Sequence, residues 1–492
     1  MNRCVRSFML LAALAMRAFS QEEARFEQFF VDATLRVDYY HVGDKNEELI
    51  MLDRVYRQGV WAGSTRQLFD QFRYGRYGVT VRDGATSRAL FSRSFNSYFG
   101  EYRTTEPAKN GIRRAYHETV LLPFPKRPVR IEIENRDLRN QYHVVASFAV
   151  DPSDYHIVTE RPERLDSVYQ VQVAGPVHEK VDILFIGDGY TRGEQGKFEA
   201  DLNHYVEVLF AWEPYKRQRE KFNVRGIFSP SPESGVSEPR QGRYRHTVLG
   251  ASFNSLDTDR YLLVEDNKTL RDIAAQAPYD ALLVMVNSRR YGGGGLYNDY
   301  STFTSDGPWN EHVMQHEFAH CFAGLGDEYY TKDVAYEEYL EPGVEPNEPN
   351  LTALLDPSHL KWRDLVSSGV PIPTEWGQAT YDSLTGARDS LGGALVALKE
   401  RLAKEGRTQE DIAKASANLE AENRQVNDRL SRFFIDHPLR GKVGAFQGGG
   451  YVARGFYRPT VNSLMNAFNS EERTFYPVNE RAIERVIDTF TR

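Results

Sequence analysis

The sequence predicts a multidomain protein, in which an N-terminal antiparallel β-sandwich is followed by an α/β domain with an inserted helical hairpin. Three observations predict this fold class. Alternating polar and apolar residues fill the first third of the chain, apolar strands alternate with helices after residue 170, and a later stretch rich in Ala, Leu, Glu, Lys and Arg has helical spacing. The 492 residues also exceed what one ordinary hydrophobic core organises.

Residues 21–165 form the predicted sandwich. Seven short runs with a period near two lie there, separated by Gly, Pro, Asn and Asp, which is typical of antiparallel strands joined by turns. Because no titratable cluster stands out among them, a folding or substrate-presenting role is favoured over a separate catalytic centre. The runs are ATLRVDYYHV, ELIMLDRVY, YGVTVRD, ALFSRSF, ETVLLPF, PVRIEIEN and YHVVASFAV.

Residues 170–492 form the predicted α/β domain, and the boundary falls near residues 160–178. The apolar run at residues 181–186 stops at a Gly-Asp-Gly turn and leads into a helix, and residues 281–286 form a second buried strand. Residues 383–435 predict the inserted helical hairpin, with its turn near Gly406. Its charged face is interpreted as solvated, and a substrate-gripping arm is the alternative.

Residues 1–20 have the pattern of a cleaved secretory signal, with a basic start, an apolar run at residues 8–16 and small residues at 18–20. A short buried or membrane helix is the alternative, but the apolar run is shorter than the roughly 20 residues that a bilayer span needs. Cys4 leaves with the signal, so Cys321 has no partner for an intramolecular disulfide. These features predict a bacterial protein that is secreted, periplasmic or on the cell surface, without a transmembrane segment.

The charge balance excludes two classes of partner. The formal net charge is -8, and both signs are interspersed along the chain. Nothing in this pattern indicates a nucleic-acid surface or a polybasic membrane patch.

The segment QHEFAHCFAGLGDEYY at residues 315–330 contains the strongest functional signal. On a helix of about 3.6 residues per turn, His316 and His320 lie on one face, so both imidazoles can reach a single zinc ion. Glu317 leans toward the same side, where it can take a proton from a metal-bound water. The alternative is a chance match with structural histidines, but the apolar neighbours indicate the buried kind of helix on which zinc ligands lie. Cys321 points elsewhere and is expected to pack in the core.

The residues after this helix supply a third ligand. Gly324 and Gly326 favour a turn that ends the helix, and Asp327 and Glu328 come directly out of that turn. A carboxylate that returns to the ion leaves the fourth position to water, as a catalytic zinc site requires. The pattern favours Asp327 over Glu328, with the other carboxylate accepting a hydrogen bond from a ligand histidine.

Two tyrosines follow these carboxylates. The phenol of Tyr329 or Tyr330 is placed to donate to a developing oxyanion. Aromatic packing is the alternative role for each of them.

Four separated motifs resemble the IgA-peptidase family of bacterial secreted zinc metallopeptidases. The resemblance covers most of residues 180–480, and the β-rich N-terminal region resembles the N-terminal domain of that family. The motifs are FIGDGYT at 185–191, VNSRRYGGGG at 286–295, HEFAHCFAGLGDEYY at 316–330 and GGGYVARGFYRPTVNSLMN at 448–466.

The resemblance implies roles for individual residues. It implies one catalytic zinc bound by His316, His320 and Asp327, with Glu317 as the catalytic base. Met465 resembles the methionine beneath the zinc of metzincin-like peptidases, with an ordinary core methionine as the alternative. The spacing departs from the metzincin pattern, because the glycine and the third ligand each come one residue later here.

Two further regions have candidate roles in substrate binding. Residues 282–287, followed by glycines at 292–295, are interpreted as an edge strand that aligns an extended peptide, with glycines that allow its backbone to approach closely. Tyr457 and Arg458 are candidate catalytic residues, because a phenol or guanidinium there is able to stabilise the tetrahedral intermediate or hold a substrate carboxylate. Structural hydrogen bonding is the alternative for both residues.

These observations predict a secreted zinc metalloendopeptidase that hydrolyses peptide bonds of extracellular proteins. A glycan- or protein-binding surface factor with a structural zinc is one alternative, and a peptidase restricted to glycoproteins is another. The partner is a protein or peptide substrate, for which glycosylated and immunoglobulin-like proteins are both considered. The sequence leaves the cleavage specificity and the oligomeric state open.

Overall fold

The computed structural model describes residues 25–159, 166–330, 340–466 and 472–491. The predicted signal at residues 1–20 and part of the predicted domain boundary lie outside these ranges. Within them, no helix combines the length and the apolar character that crossing a membrane requires.

Each of the seven predicted runs in the N-terminal domain is a β-strand. The strands form two antiparallel sheets, one with the order β2-β1-β5 and the other with the order β4-β3-β6-β7. Three short helices, α1 to α3, flank them. The bounds are α1 Phe26–Phe29, β1 Phe30–Gly43, β2 Glu48–Arg57, β3 Tyr77–Asp83, β4 Ala89–Phe95, α2 Tyr98–Tyr102, α3 Glu106–Lys109, β5 Arg114–Pro125, β6 Val129–Arg136 and β7 Tyr142–Val150.

Apolar side chains from both sheets are buried in one core. Val37 and Leu122 of the first sheet belong to the same buried cluster as Val79 and Ile131 of the second. Val37 lies between Arg36 and Asp38, and Ile131 lies between Arg130 and Glu132, which explains why a period of two is visible in the sequence. The N-terminal domain therefore has its own hydrophobic core.

A six-stranded sheet organises the second domain, with the order β14-β15-β13-β9-β10-β8. The four inner strands are parallel, and β8 and β14 run antiparallel at the two edges. The central strands β9 and β13 are fully buried, as expected for strands covered on both faces. The bounds are β8 Ser167–Gln172, β9 Val181–Asp188, β10 Phe222–Phe228, β11 Ala251–Ser252, β12 Leu263–Val264, β13 Ala281–Val286, β14 Gly293–Leu296, β15 Tyr300–Thr304, β16 Phe446–Gly449 and β17 Val452–Arg458.

The interpretation of residues 282–287 as an edge strand is wrong. The strand β13 lies inside the sheet, where Leu283 is paired with Phe185 of β9 on one side and with Ser301 of β15 on the other. The edge strand is β14, which contains three of the four glycines. A uniformly apolar run is typical of an internal parallel strand, so the pattern of β13 itself is consistent with this position.

Within the described ranges, six α-helices accompany this sheet. Residues of α4, α6 and α9 pack in one core against the sheet, and residues of α5 belong to a second core on its other face. Helices α7 and α8 are long and pack against each other, and residues 405–408 join them. The bounds are α4 Gln195–Ala211, α5 Asn267–Ala274, α6 Asn310–Ala323, α7 Gln378–Lys404, α8 Gln409–Ile435 and α9 Tyr476–Thr491.

One backbone and one side-chain hydrogen bond fix the N-terminal domain beside the glycine-rich strand β14. The N–H of Asn96 donates to the carbonyl of Tyr297 at 2.8 Å, and Asn298 Nδ2 donates to the carbonyl of Ser94 at 2.8 Å. Tyr297 and Asn298 directly follow β14. The end of β4 therefore lies next to the edge strand that packs on α6.

Candidate metal centre and active site

The helix α6 carries His316 and His320 and ends at Gly324. Its apolar residues, such as Phe318 and Phe322, are buried in the core of the second domain. Gly324 has a φ of 61°, and its N–H bonds to the carbonyls of Ala319 and His320, which is the left-handed cap expected of glycine. The cap turns the chain back toward the face of the helix that carries the histidines.

Backbone carbonyls orient both imidazole rings. The Nδ1 atom of His316 lies 3.2 Å from the carbonyl of Leu464, and Nδ1 of His320 lies 2.5 Å from the carbonyl of Leu325. A carbonyl only accepts, so each Nδ1 carries a proton, and Nε2 is the ring atom with which each histidine would bind a metal ion. Metal-binding histidines are held by hydrogen bonds of this kind.

Three ligand atoms converge on one point. The Nε2 atoms of His316 and His320 are 3.0 Å apart, and Oδ1 of Asp327 lies 3.0 Å from the first and 3.4 Å from the second. Ligands bonded to zinc at about 2.0–2.1 Å in a tetrahedron are about 3.3 Å from one another. Apart from the two imidazoles, Oδ1 of Asp327 has no hydrogen-bond partner among the described residues. The donor set and its spacing therefore fit a zinc ion.

The structure separates the roles of the two adjacent carboxylates. Asp327 turns toward the histidines, and the hydroxyl of Tyr451 donates to its Oδ2. Glu328 turns away, and its two oxygens accept hydrogen bonds from three side chains. These donors are Ser463 Oγ at 2.7 Å, Asn479 Nδ2 at 2.9 Å and Asn350 Nδ2 at 3.0 Å. Asp327 is brought to the metal centre, and Glu328 holds the surrounding loops together.

Charge in the centre shifts the pKa values of its members. Burial lowers the pKa of His320, but the carboxylates of Asp327 and Glu317 outweigh it and raise this pKa to about 9. Burial raises the pKa of Asp327, and the His320 charge and hydrogen bonds from both imidazoles outweigh it, so that its pKa is well below the usual range. The negative charge of Asp327 thus favours a positive charge beside the two imidazoles. A divalent metal ion bound between these side chains would supply that charge.

Glu317 lies between the two ligand histidines in sequence and lines the same cavity. Burial raises the pKa of its carboxyl, whereas the two imidazoles lower it. A carboxylate of raised pKa next to a metal site is suited to accept a proton and then return it. The sequence predicted this position for Glu317.

The glycines of β14 accommodate the helix and not a substrate. A Cβ atom added at Gly295 would lie 2.4 Å from the carbonyl oxygen of Glu317 and 3.0 Å from Cβ of His320. At Gly293 it would lie 3.0 Å from Cγ of Glu317. The interpretation of these glycines as positions for close approach of a substrate is therefore replaced: they allow α6 to lie directly against the edge strand.

The turn that contains Met465 also contacts the centre. The Leu464 carbonyl orients His316, and the Met465 carbonyl accepts the N–H of Glu328 at 2.9 Å. The Met465 side chain is fully buried in the core of the second domain. The contact that the turn makes with a ligand is thus through its backbone.

Tyr457 and Arg458 are not brought to the cavity. Arg458 is buried and donates to the carbonyls of Gln447, Gly448 and Val461. Tyr457 pairs with Gln447 in the hairpin of β16 and β17. Cys321 is buried, as predicted, and burial raises the pKa of its thiol to about 12.

The two tyrosines after Glu328 have different surroundings. The hydroxyl of Tyr330 donates to Asp382 Oδ1 at 2.7 Å, outside the cavity. Tyr329 lines the cavity, and Arg260 Nη2 lies 3.4 Å from its hydroxyl. Tyr329 is therefore the one that faces the metal centre.

The sequence analysis missed several residues of the cavity wall, among them Glu101, Arg260, Tyr261 and Tyr451. Glu101, Arg260 and Tyr261 lie 215, 56 and 55 positions before His316, and no local pattern marks them. Tyr451 stands in the GGGY motif at 448–451, and its aromatic ring after three glycines is the one signal that was available. Burial raises the pKa of Glu101 to about 7.

Comparison with known protein families identifies two matches. The family model described as IgA Peptidase M64 matches residues 169–487, and the one described as Peptidase M64 N-terminus matches residues 25–147. A search among curated proteins finds no match.

Proposed function

The chain belongs to the IgA peptidase M64 family, and on that premise we propose that it is a zinc-dependent metalloendopeptidase that hydrolyses peptide bonds of extracellular proteins. Membership of this family makes the chain a peptidase and its substrate a protein. The finer parts of the proposal are zinc as the metal, a bond within the substrate chain as the target, and His316, His320, Asp327 and Glu317 as the residues that act.

One observation carries this proposal. Two imidazole nitrogens and one carboxylate oxygen converge within 3.0–3.4 Å, while Glu317 lines the same cavity. Two imidazoles and one carboxylate leave a fourth position for water or substrate, which distinguishes a catalytic zinc site from a closed structural one. A binding protein with a structural zinc has no use for the carboxylate of Glu317 in that position, so this alternative is not favoured.

The chain's own residues perform the proton transfers and hold the geometry. When bound, zinc would polarise the scissile carbonyl and lower the pKa of water. Glu317 takes a proton from the attacking water and returns it to the leaving amine. Tyr451 keeps the Asp327 carboxylate in place through Oδ2. Tyr329 and Arg260 line the cavity and are proposed to stabilise the developing oxyanion, in place of Tyr457 and Arg458.

The finer architecture and the location are also proposals. We interpret the two N-terminal sheets as a β-sandwich within residues 21–165, and helices α7 and α8 as a hairpin inserted in the catalytic domain at residues 383–435. Secretion or a periplasmic or cell-surface location rests on the pattern of residues 1–20. The N-terminal Tyr74, Asn96 and Glu101 in the cavity wall support a direct role for the sandwich in substrate binding.

The test combines metal analysis with peptide cleavage. Purified protein is expected to contain about one zinc ion per chain and to cleave members of a peptide library until a chelator is added. Glu317→Gln should retain zinc and reduce kcat by about 10²–10⁴-fold, the usual contribution of a general base. Glu311→Gln is the matched control, because Glu311 lies in the first turn of the same helix and pairs with His204. Cleavage that survives in Glu317→Gln, or zinc lost from it, would contradict the assigned role.

A further inference from the structure

The side chain of Asn350 is fully buried against the turn that joins α6 to Asp327. Its Oδ1 accepts from the N–H of Gly326 at 2.7 Å, and its Nδ2 donates to the carbonyl of Gly326 at 2.8 Å. Because a backbone N–H only donates and a carbonyl only accepts, these two bonds also fix which way the amide faces. Asn350 therefore pairs with Gly326 as a residue of a neighbouring antiparallel strand would.

The first of these bonds acts on the orientation of His320. The N–H of Gly326 and the carbonyl of Leu325 belong to one planar trans peptide unit, so they point to opposite sides of the chain. The carbonyl accepts from Nδ1 of His320 at 2.5 Å, and the N–H donates to Asn350. Asn350 and His320 thus hold the same peptide unit from its two sides, and a rotation of the unit breaks both contacts.

The second bond acts on Asp327. The carbonyl of Gly326 belongs to the peptide unit that leads into Asp327, and it accepts from Asn350. On the other side of Asp327, the N–H of Glu328 donates to the carbonyl of Met465 at 2.9 Å. The backbone of this ligand is therefore fixed before and after its Cα atom, and Asn350 provides the contact that comes before it.

Gly326 allows the chain around Asn350 to approach the turn closely. A Cβ atom added at Gly326 would lie 2.6 Å from Cδ1 of Leu351 and 3.0 Å from Cγ of Glu348. Gly326 does not have a positive φ, so lack of space and not an unusual backbone conformation explains the glycine. The glycine and the asparagine thus belong to one contact.

The segment on both sides of Asn350 is itself held in place. Lys361 Nζ donates to the carbonyl of Glu348 at 2.9 Å and to that of Leu351 at 2.7 Å. Thr352 exchanges two backbone hydrogen bonds with β17, at 3.1 Å and 2.8 Å. Groups that position metal ligands need such a support, because their own orientation must be locked.

We propose that Asn350 is a positioning residue for zinc. By fixing the two peptide units between Leu325 and Asp327, it directs the His320 imidazole and the Asp327 carboxylate to one point. The inference rests on the proposed zinc centre and adds a residue that acts on the ligands through the backbone. Loss of a group that orients a metal ligand lowers metal affinity by about 10–100-fold, so the effect is measurable.

Two matched variants isolate the contact with the turn. Asn350→Ala removes both bonds to Gly326, together with a donor to Oε1 of Glu328. Asn479→Ala is the control, because Asn479 is equally buried and donates to the same oxygen of Glu328 at 2.9 Å. Among the described residues, the side chain of Asn479 makes no hydrogen bond to residues 325–327. Both variants lose a buried amide that supports Glu328, and one of them also loses the bonds to the turn.

The measurement is metal binding by the folded full-length protein. Metal-free protein is titrated with zinc in competition with a chromophoric chelator, and cobalt is bound in place of zinc to record its visible absorption. The zinc dissociation constant should rise about 10–100-fold in Asn350→Ala and stay at the wild-type value in Asn479→Ala. The cobalt spectrum depends on ligand geometry, so it should change in Asn350→Ala alone.

A conservative variant separates the two bonds. Asn350→Asp keeps an acceptor for the N–H of Gly326 and loses the donor to its carbonyl. Its zinc affinity is expected to lie between those of the wild type and Asn350→Ala. If Asn350→Ala does not fold, Asn350→Asp decides the question, because its zinc affinity must still fall below the wild-type value.

The outcomes separate this inference from the proposed function. No zinc binding by the wild type would reject the zinc centre and the role of Asn350 with it. Wild-type zinc affinity and an unchanged cobalt spectrum in the folded Asn350 variants would overturn the role of Asn350 and leave the zinc centre intact. An equal loss of zinc affinity in Asn479→Ala would also overturn it, because the effect would then belong to the hydrogen bonds of Glu328.

Discussion

Among the described residues, two groups of histidines and carboxylates bring potential ligand atoms within 4.8 Å of one another. The first is the proposed catalytic centre, and the second lies on the sheet β2-β1-β5 of the N-terminal domain. The first consists of His316, His320 and Asp327, and the second of Asp38, Asp53 and His117. Their composition is similar, so composition does not decide which of them binds a metal.

The second cluster already contains its cations. The guanidinium of Arg36 donates to both oxygens of Asp38, at 2.8 Å and 2.6 Å, and Nζ of Lys268 lies 3.9 Å from Oδ2 of Asp53. In the first cluster the described residues place no lysine or arginine in an ion pair with Asp327. Two nearby cations repel a metal ion and neutralise the carboxylates that would bind it.

The imidazole tautomers also differ between the clusters. Arg271 Nε donates to Oδ1 of Asn267, so the amide nitrogen of Asn267 faces Nδ1 of His117 at 3.1 Å. Nδ1 of His117 therefore accepts, and the proton lies on Nε2, which points toward Asp38 and Asp53. In the catalytic centre, carbonyls hold the proton on Nδ1. The hydrogen bonds at Nδ1 thus make Nε2 of His117 a donor, and leave Nε2 of His316 and His320 as the atoms that would bind a metal.

The largest expected effect comes from removing one carboxylate in each cluster. Asp327→Ala removes a proposed zinc ligand. Removing only the hydrogen-bond partner of a ligand lowers metal affinity by about 10–100-fold. Zinc affinity should therefore fall by more than this in Asp327→Ala. Peptide cleavage should be lost with the metal. Asp53→Ala, the matched change in the second cluster, should leave both unchanged. Zinc content after dialysis and kcat/KM measure this, and equal zinc loss in both variants would refute the distinction.

A smaller loss of activity is expected from a change in β14, the glycine-rich strand that packs against the helix of the first cluster. A Cβ at Gly295 would lie 2.4 Å from the carbonyl oxygen of Glu317, so Gly295→Ala must displace the metal helix. A shift of about 1 Å in catalytic groups costs about 10²-fold in rate. Gly196→Ala is the control, because a Cβ added there would meet no atom within 4 Å beyond the backbone of its own helix turn and its chain neighbours. Wild-type kcat in Gly295→Ala would show that the close packing does not position Glu317.

The next prediction tests the difference between the adjacent carboxylates of Asp327 and Glu328. Glu328→Gln places an amide donor opposite the hydroxyl of Ser463, which donates to Oε2, while the amide oxygen is able to keep the hydrogen bonds from Asn350 and Asn479. The fold should be destabilised by about 1–3 kcal/mol. The three metal ligands are untouched, so zinc stoichiometry should stay the same. Chemical denaturation and metal analysis on the same samples check this. Loss of zinc from the folded variant would mean that Glu328 takes part in metal binding.

The sequence predicted those features that depend on local pattern. All seven N-terminal strands follow from a period of two, and the two histidines follow from the spacing of one helical turn. The sequence favoured Asp327 over Glu328, but the role of Glu328 could not be predicted, because its hydrogen-bond partners are 22, 135 and 151 residues away in the chain. The position of Glu101 depends on the docking of one domain on another, which no local pattern encodes.

The position of a strand within the sheet is likewise not encoded by local sequence pattern. A run of apolar residues at 281–286 indicates a buried strand, but not its neighbours in the sheet. The glycines at 293–295 indicate close approach of something, and the sequence alone does not say whether this is a substrate or a helix. Contacts of Gly295 with Glu317 and His320 give the answer.

The smallest expected effect comes from the histidine of the second cluster. His117→Ala removes an edge contact with the ring of Tyr40 at 5.3 Å and leaves both hydrogen bonds from Arg36 to Asp38 in place. The free energy of unfolding should fall by about 1 kcal/mol, with zinc stoichiometry and kcat/KM unchanged. Denaturant unfolding and metal analysis measure these quantities. Loss of a second metal ion from this variant would show that the cations near Asp38 and Asp53 do not prevent metal binding, and the comparison between the clusters would fail.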